Sequence, residues 1–424
     1  MKPRATTVLL PFVAVLFLII IPAGTVSAQV GPGDDAVVLP KGYFRMMFDG
    51  QFYIPFSNRY NNSGDSVPMG QPFSIPLNSQ AFPALAALNP FVGGNATLGN
   101  SQVDIKRHLQ QYLFQPTYGV TDRFTIGMNI QYVSVRNEVT ANVDSSNATV
   151  GFATVPNPFG AIAPLTGPFA VPGTTRATTQ NIQNLLKTQF GLAPIQTFNA
   201  EGIGDLEIGG RYQYFRSDNF RAAFTGGARI PTGRTDDPNN LVDVGWGTGA
   251  YAVLFQFNQD LMFQKDGLGK RLGFPAPGEL LINTTIRYDL NLPNTQQARV
   301  CNPNLICNNL DNVRRDLGDV LAVDVSAKVG VLYDGLMFVP RFWYSYKWKD
   351  QFSGDKNLPY GDLAIDTQRT EYIYFLSLLY STVPLVGQGK FWLPASLSVT
   401  YRDRFAGTNA VDSRYIGVNA QFYF

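Results

Sequence analysis

The sequence predicts an all-β protein: a transmembrane antiparallel β-barrel of about 12 strands, with long loops on one side. Three observations predict it. The 424 residues are 45% hydrophobic and 13% aromatic but only 15% charged, well below the ~25% of an ordinary soluble domain. Mean hydropathy is −0.05, and after residue 28 no apolar run approaches the ~18 residues of a membrane helix. Segment after segment instead alternates apolar with polar residues, as strands do when one face meets lipid and the other a lumen. The 31 Phe and 20 Tyr, set against 40 Gly and 28 Pro, leave no room for wholesale disorder.

The chain opens on a processing signal. Lys2 and Arg4 precede an apolar stretch from Val8 to Ile21, and Val26-Ser27-Ala28 places small residues before Gln29. This pattern predicts a secretory signal peptide over 1–28. Gln29 rather than Cys stands at the cleavage site, so lipid anchoring is not expected. Removing 1–28 takes away two cations and leaves 31 Lys+Arg against 31 Asp+Glu. A neutral chain offers no field for nucleic acid, and no such partner is expected. Residues 29–41 read as a short periplasmic segment and 42–424 as the barrel.

The first strand, 43–56, gathers Phe44, Met46, Phe48, Phe52, Ile54 and Phe56 on one face. The second, 108–120, gathers Tyr112, Phe114, Tyr118 and Val120, and the third, 123–138, Phe124, Ile126, Met128, Ile130 and Tyr132. The fourth, 203–216, uses Leu206, Ile208, Tyr212 and Tyr214; the fifth, 219–231, uses Phe220, Ala222, Phe224, Ala228 and Ile230. The sixth, 247–264, carries Tyr251, Val253, Phe255, Phe257, Leu261 and Phe263, and the seventh, 279–291, Leu280, Ile282, Ile286, Tyr288 and Leu290. The eighth, 319–333, aligns Leu321, Val323, Val325, Val329, Val331 and Tyr333. The ninth, 336–349, aligns Leu336, Phe338, Phe342, Tyr344, Tyr346 and Trp348. The tenth, 368–382, and eleventh, 391–404, do the same with Tyr372, Tyr374, Leu376, Leu378 and Tyr380, then Leu393, Ala395, Leu397, Val399 and Tyr401. The last, 412–424, ends on Ile416, Val418, Ala420, Phe422 and Phe424.

Charges fall on the opposite phase. Arg45, Asp49, Asp205, Glu207, Arg211, Arg221, Arg229, Asp260, Glu279, Arg287, Asp289, Asp324, Lys328, Arg341, Lys347, Glu371 and Arg402 all do so. A cation on the lipid face costs about 2–4 kcal/mol at mid-membrane and little near the interfaces. Accordingly the out-of-phase Arg136, Glu138, Asp403 and Arg414 sit near strand ends. The inward set has nine cations and eight acids. Apart from Asp205, Asp260 and Glu279, its members are the candidate lumen-lining residues. Two readings are open: charges paired across strands that plug the interior, or a narrow polar pore whose near-balanced signs give weak ion selectivity.

Connections alternate in length. Short turns are predicted at Thr121-Asp122, Arg216 to Asn219, Asp334-Gly335 and Pro384 to Lys390, with a longer Gly-rich link over 265–278. The intervening segments 57–107, 139–202, 232–246, 292–318 and 350–367 are long, and only 405–411 is short. Bacterial barrels keep short turns in the periplasm and long loops outside, so both chain ends fall on the periplasmic side and the strand number is even. The final strand, closing on Phe424, resembles the C-terminal signal that the barrel-assembly machinery reads.

YGVTDRFTIGM (118–128), GIGDLEIGGRYQYF (202–215) and ARIPTGRTDDPNNLVDVGWGTG (228–249) resemble the outer-membrane family of the phenol-degradation meta-pathway, grouped loosely with the FadL-like hydrocarbon transporters. The likeness spans mainly 108–260. It implies an outer-membrane transporter of hydrophobic or aromatic small molecules, and its motifs mark strands and turns rather than ligands. The 57–107 and 139–202 segments have no counterpart in it. Gln29 to Lys41 is too short for a substantial hatch of the FadL kind.

FPALAALNPFVGG (82–94) and PNPFGAIAPLTGPFAVPG (156–173) are apolar loops, and such loops rarely stand free in water. They are expected to fold over the barrel mouth as an apolar vestibule, or to pack against neighbours. Residues 179–190 read as an amphipathic helix with Ile182, Leu185, Leu186 and Phe190 on one face. TGRTDDPNNLVD (232–243) is rich in oxygen ligands, but its spacing is not that of an EF-hand, and Asp-Pro-Asn is ordinary turn chemistry. Cys301 and Cys307, in CNPNLIC, are expected to form a disulfide in an exported chain.

The single His108 has no second His to serve as a base, and no phosphate-binding glycine loop is present. No enzymatic activity, cofactor or metal is expected. The expected partners are outer-membrane lipid, the assembly machinery and a small-molecule cargo. Two functions remain: a channel for small, weakly polar or aromatic molecules, or a structural, loop-presenting barrel with a plugged lumen.

Overall fold

A computed structural model of the protein describes residues 35–263, 280–302, 306–330 and 335–424. The readings of 1–28, of 265–278, of Glu279, of Val331 and Tyr333 and of Asp334 lie outside the described residues. Twelve antiparallel strands form the wall: β1 (Phe44–Tyr53), β2 (Thr97–Thr121), β3 (Phe124–Asp144), β4 (Leu206–Arg216), β5 (Phe220–Ile230), β6 (Ala252–Phe263), β7 (Leu280–Asn291), β8 (Val320–Gly330), β9 (Leu336–Lys347), β10 (Arg369–Ser381), β11 (Ala395–Thr408) and β12 (Arg414–Tyr423). Each pairs with the next, and β12 pairs with β1, with Phe52 opposite Ile416 and Met46 opposite Phe422. The sheet is therefore closed, and closure removes the unpaired edges that hydrocarbon cannot satisfy.

No helix among the described residues is long and apolar enough to cross a membrane. The outer face of the strands carries the apolar residues instead. Phe48, Leu378, Leu397 and Val399 are 49–57% exposed, and cross-strand rings pack side by side there, as Phe48 with Phe114 at 5.1 Å and Phe224 with Phe257 at 4.9 Å. Such a belt suits acyl chains, with rings gathered toward the interfaces.

β2 and β3 run well past the expected starts and ends at 108 and 138. The reason is an inversion of phase. Within the belt the even-numbered Tyr112, Phe114, Met128 and Tyr132 face outward, whereas beyond it the odd-numbered Val103 and Ile105 are buried inward, with Val139 and Ala141 partly so. Water replaces lipid outside the hairpin at that height, so the apolar face turns toward the loops. There it meets Phe56, Met69 and Val242. The 57–107 loop thus ends at residue 96, where β2 begins.

The two longest loops form a folded module on this hairpin. A helix, α1 (Thr179–Phe190), starts at a capping box in which Asn181 N–H donates to Thr178 Oγ1 at 3.2 Å, and it ends at Gly191 in the left-handed region, φ +61°. Both termini are satisfied as helix ends require. Ile182 and Leu186 pack with Leu77, Phe82, Leu85, Leu88, Leu98 and Val150. Phe82, Leu85 and Leu88 of 82–94 are thus buried among neighbours, while Ala84, Ala86 and Ala87 stay exposed. Phe91, Phe159 and Phe169 form an edge-to-face group, and Phe169 stays half-exposed.

Candidate functional site: the barrel lumen

The inward face of the wall is polar and tightly occupied. Gln51, Gln111, Asn258, Asn283, Ser326 and Asn419 are all buried. The fourteen charged candidates fall into four groups. Near the loop-bearing end Glu207 Oε1 lies 2.8 Å from both Arg229 Nη2 and Arg287 Nη2, and Asp289 closes the cluster at 2.6 Å from each arginine. Two cations and two acids balance there, as burial demands. Midway, Arg341 pairs with Asp324 and lies over the rings of Phe375 at 4.9 Å and Trp343 at 5.7 Å. Asp49 accepts from Asn419 Nδ2 at 3.2 Å.

A third group lies toward the turn-bearing end: Arg45, Arg211, Arg221 and Lys328. Arg45 donates to Thr117 Oγ1 at 3.1 Å, and Arg221 approaches Asp260 at 4.0 Å. The fourth group, at the loop end of β9–β11, contains Lys347 paired with Asp350, Glu371 paired with Arg404 at 2.7 Å, and Arg402. Arg404 was not among the expected lumen residues, because it closes the expected eleventh strand. β11 continues to Thr408, and Arg404 stands opposite Ile373, two residues from Glu371.

The strongest departure from expectation is the segment before β1. Residues 35–41 do not hang free below the barrel; they enter the turn end of the lumen. Lys328 Nζ lies 2.6 Å from Asp35 Oδ2, Arg211 Nη1 donates to Asp35 O at 2.8 Å, and Ala36 N–H donates to Asp260 at 3.0 Å. Gln213 Nε2 reaches Ala36 O at 2.7 Å, and Leu39 N–H donates to Thr125 Oγ1 at 2.8 Å. Ala36, Val38 and Leu39 are buried. Asp35, Ala36 and Leu39 thus reach polar groups on β3, β4, β6 and β8, while Pro40 and Lys41 stay exposed. The available signal was charge: Arg45, Arg211, Arg221 and Lys328 share one inward level with Asp260 and need a further acid.

Inward aromatic residues were also missed, since rings were read as lipid-facing. Trp343, Ile373, Phe375 and Tyr415 form a buried cluster with Tyr53 against it. All lie on the inward phase of their strands.

The loop acids serve the loop itself. Asp243 takes both Nη atoms of Arg234, at 2.5 and 2.9 Å, while that guanidinium is held between Phe198 and Trp246. Asp236 Oδ1 accepts from Gly245 N–H at 2.5 Å, and Asp237 Oδ1 from Asn239 N–H at 2.9 Å, the turn chemistry expected of Asp-Pro-Asn. Burial pushes the Asp236 carboxyl above its ordinary value. Among the described residues no cluster of His, Cys, Asp and Glu has metal-holding geometry. Cys301 and Cys307 form a disulfide. His108 faces outward, with Nε2 3.2 Å from Glu138 Oε2. On the outer wall a groove of about 620 Å³ is lined by Phe44, Tyr118, Ile126, Met128 and Ile208.

The closed wall, apolar outside and polar within, defines a transmembrane β-barrel of the outer-membrane type. The fold is similar to that of an outer-membrane channel from Pseudomonas putida F1, known from a crystal structure. The two share 11% identity over 93% of this chain and 100% of that chain, with a TM-score of 0.51. Looser likenesses are to the translocator domain of the autotransporter NalP from Neisseria meningitidis (9% identity, 91% of this chain and 90% of that chain covered, TM-score 0.36) and to the toluene transporter TbuX from Ralstonia pickettii (10%, 93% and 92%, 0.33). No family model matches the chain, and no curated protein matches it.

Proposed function

We propose that the protein is an outer-membrane channel that admits small, weakly polar or aromatic molecules by passive diffusion. One observation carries the reading. The turn end of the lumen is occupied by a segment outside the wall, 35–41, attached by a few polar contacts to Lys328, Arg211, Asp260, Gln213 and Thr125. A barrel with a purely structural interior fills itself with wall side chains. An occupant that enters from outside the wall can leave it, and its departure opens the polar path between the strands. The likeness in fold to a channel supports the same reading, as a fold-level analogy.

In this reading the short turns and both chain ends face the periplasm and the loop module faces outward. Residues 1–28 direct export, Phe424 is read by the barrel-assembly machinery, and the belt contacts outer-membrane lipid. The candidate lumen residues set the polarity of the path, and no catalytic step is assigned to any residue.

The burial of Asp289, Asp324 and Arg402 to 0–4% exposure favours a second reading, a permanently plugged barrel that presents its loops. Liposome flux separates the two. The channel reading expects entry of small aromatic solutes through the intact chain, and faster entry when residues 29–41 are deleted. Absence of flux from both proteins would establish the plugged barrel instead.

A further inference from the structure

At the loop end of the lumen three arginines share one stretch of wall with a single paired carboxylate. Arg369 and Glu371 lie on β10 and Arg402 and Arg404 on β11, brought together by a register that sets Phe375 opposite Arg402 and Ile373 opposite Arg404. Arg404 Nη2 is 2.7 Å from Glu371 Oε1. Arg369 lies two residues before Glu371 on the same phase of β10, and Arg402 two before Arg404 on β11, and among the described residues neither has a carboxylate within ion-pair distance. Arg402 is 4% exposed and donates from Nη1 to neutral acceptors, Ser413 O at 3.0 Å and Ser413 Oγ at 2.9 Å. The Nε atoms of Arg369 and Arg404 are buried without a hydrogen-bond partner.

Buried cations require counter-charge, and a guanidinium binds a carboxylate through paired N–H groups. Of the neighbouring acids, Asp350 is engaged by Lys347 and Asp324 by Arg341, while Asp49 accepts from the neutral Asn419 amide. Flat rings border the cluster. The Arg402 guanidinium lies 5.5 Å from the Tyr415 ring centroid, and the Tyr415 and Tyr53 rings are 5.0 Å apart. Unmatched cations beside aromatic faces complement a planar solute that carries a negative group.

We infer that Arg369, Arg402 and Arg404, with Tyr53 and Tyr415, form a binding site for small aromatic carboxylates in the outer half of the lumen. The inference rests on the channel reading and narrows its cargo from aromatic molecules in general to those bearing a carboxylate. The guanidinium groups take the carboxylate, and the tyrosine rings take the ring. The site also gives the path a preference for anions that the balanced tally of inward charges does not suggest.

Three probes of similar size isolate the charge: benzoate, benzyl alcohol and benzylammonium. Equilibrium dialysis on the full-length refolded barrel should give benzoate binding at least about tenfold tighter than either other probe, the size of a charge-assisted hydrogen bond. Arg402→Gln and Arg369→Gln should each remove most of that advantage; Arg369 is only half-buried, so its variant keeps the barrel folded if Arg402→Gln does not. Equal binding of the three probes overturns the inference, as does chloride competing as well as benzoate. Liposome flux is the separate arm. Solute flux without benzoate preference in binding rejects the site and keeps the channel, whereas benzoate binding without flux of any probe keeps the site and rejects the channel.

Discussion

Asp35 and Lys328 stand 293 positions apart in the chain and meet inside the lumen, with Oδ2 and Nζ 2.6 Å apart. This pair joins the segment before β1 to the far wall. Replacing Lys328 by Ala removes a charged hydrogen bond of about 2 kcal/mol, which converts to roughly a thirtyfold rise in the population of the displaced segment. Single-channel conductance in planar bilayers should therefore rise in Lys328→Ala and in Asp35→Asn. Traces indistinguishable from the unaltered protein would show that the segment does not gate the path.

The loop module has a core of its own. Leu186 is 2% exposed on α1 and packs in the same cluster as Leu77, Phe82 and Leu85. Leu186→Ala should cost about 2–5 kcal/mol, all of it in the module. Hydrogen exchange should quicken across 77–98 and 148–192 while the amides of β6–β10 keep their protection. Uniform loss throughout the wall would mean that module and barrel unfold together.

The disulfide closes the tip of the hairpin in which Asn294–Arg299 pairs with Leu310–Asp316. Its removal in a Cys301→Ser, Cys307→Ser double variant should release roughly 2 kcal/mol of loop-closure restraint. Proteolytic nicking between 294 and 316 should become faster, with no change in the barrel's resistance to heat. Unchanged nicking would show that the hairpin is held by Val300, Val313 and Tyr360 alone.

The same hairpin should respond to pH. The Lys356 ammonium, 2.8 Å from Asp311, holds the Asp311 carboxyl below its ordinary 3.8, and Tyr360 donates to it at 2.5 Å. A depressed carboxylate adds stability above its unfolded value, and that stability is lost as the pH falls through the folded value. The Asp311 hydrogen bond raises Lys356, and burial followed by Asp311 raises Tyr360. Their contributions are present below about 10 and fade as the pH climbs past the folded values. Protection of 310–316 should therefore be flat near neutrality and fall at both extremes. Asp311→Asn should remove the acid limb; an acid limb that survives in the variant would assign it to another group.

Strand placement was legible because lipid permits one phase only. Every expected strand is present, and Phe48, Met128, Ile208 and Leu397 face outward as their alternation implied. α1 was legible for a similar reason: one apolar stripe at helical spacing. The extension of β2 through Val103 and Ile105 was not, since the phase inverts where water replaces lipid. The placement of 35–41 was hidden because nothing local distinguishes a segment lying in a lumen from one lying in water. Only the surplus of cations on distant strands pointed to Asp35. The loop residues Leu85 and Leu88 were correctly read as unable to stand in water, but their partners came from two separate connections, which no local window contains.

Phe44 and Phe424 exchange both backbone hydrogen bonds, at 2.9 and 2.8 Å, so the first strand is zipped to the last. No shorter portion of the chain can complete the cylinder. A polypeptide lacking β12 would hold two bare rows of N–H and C=O groups in hydrocarbon, at several kcal/mol for each orphaned group. The seam between the first and last strands is thus the one join that leaves the wall without an open edge.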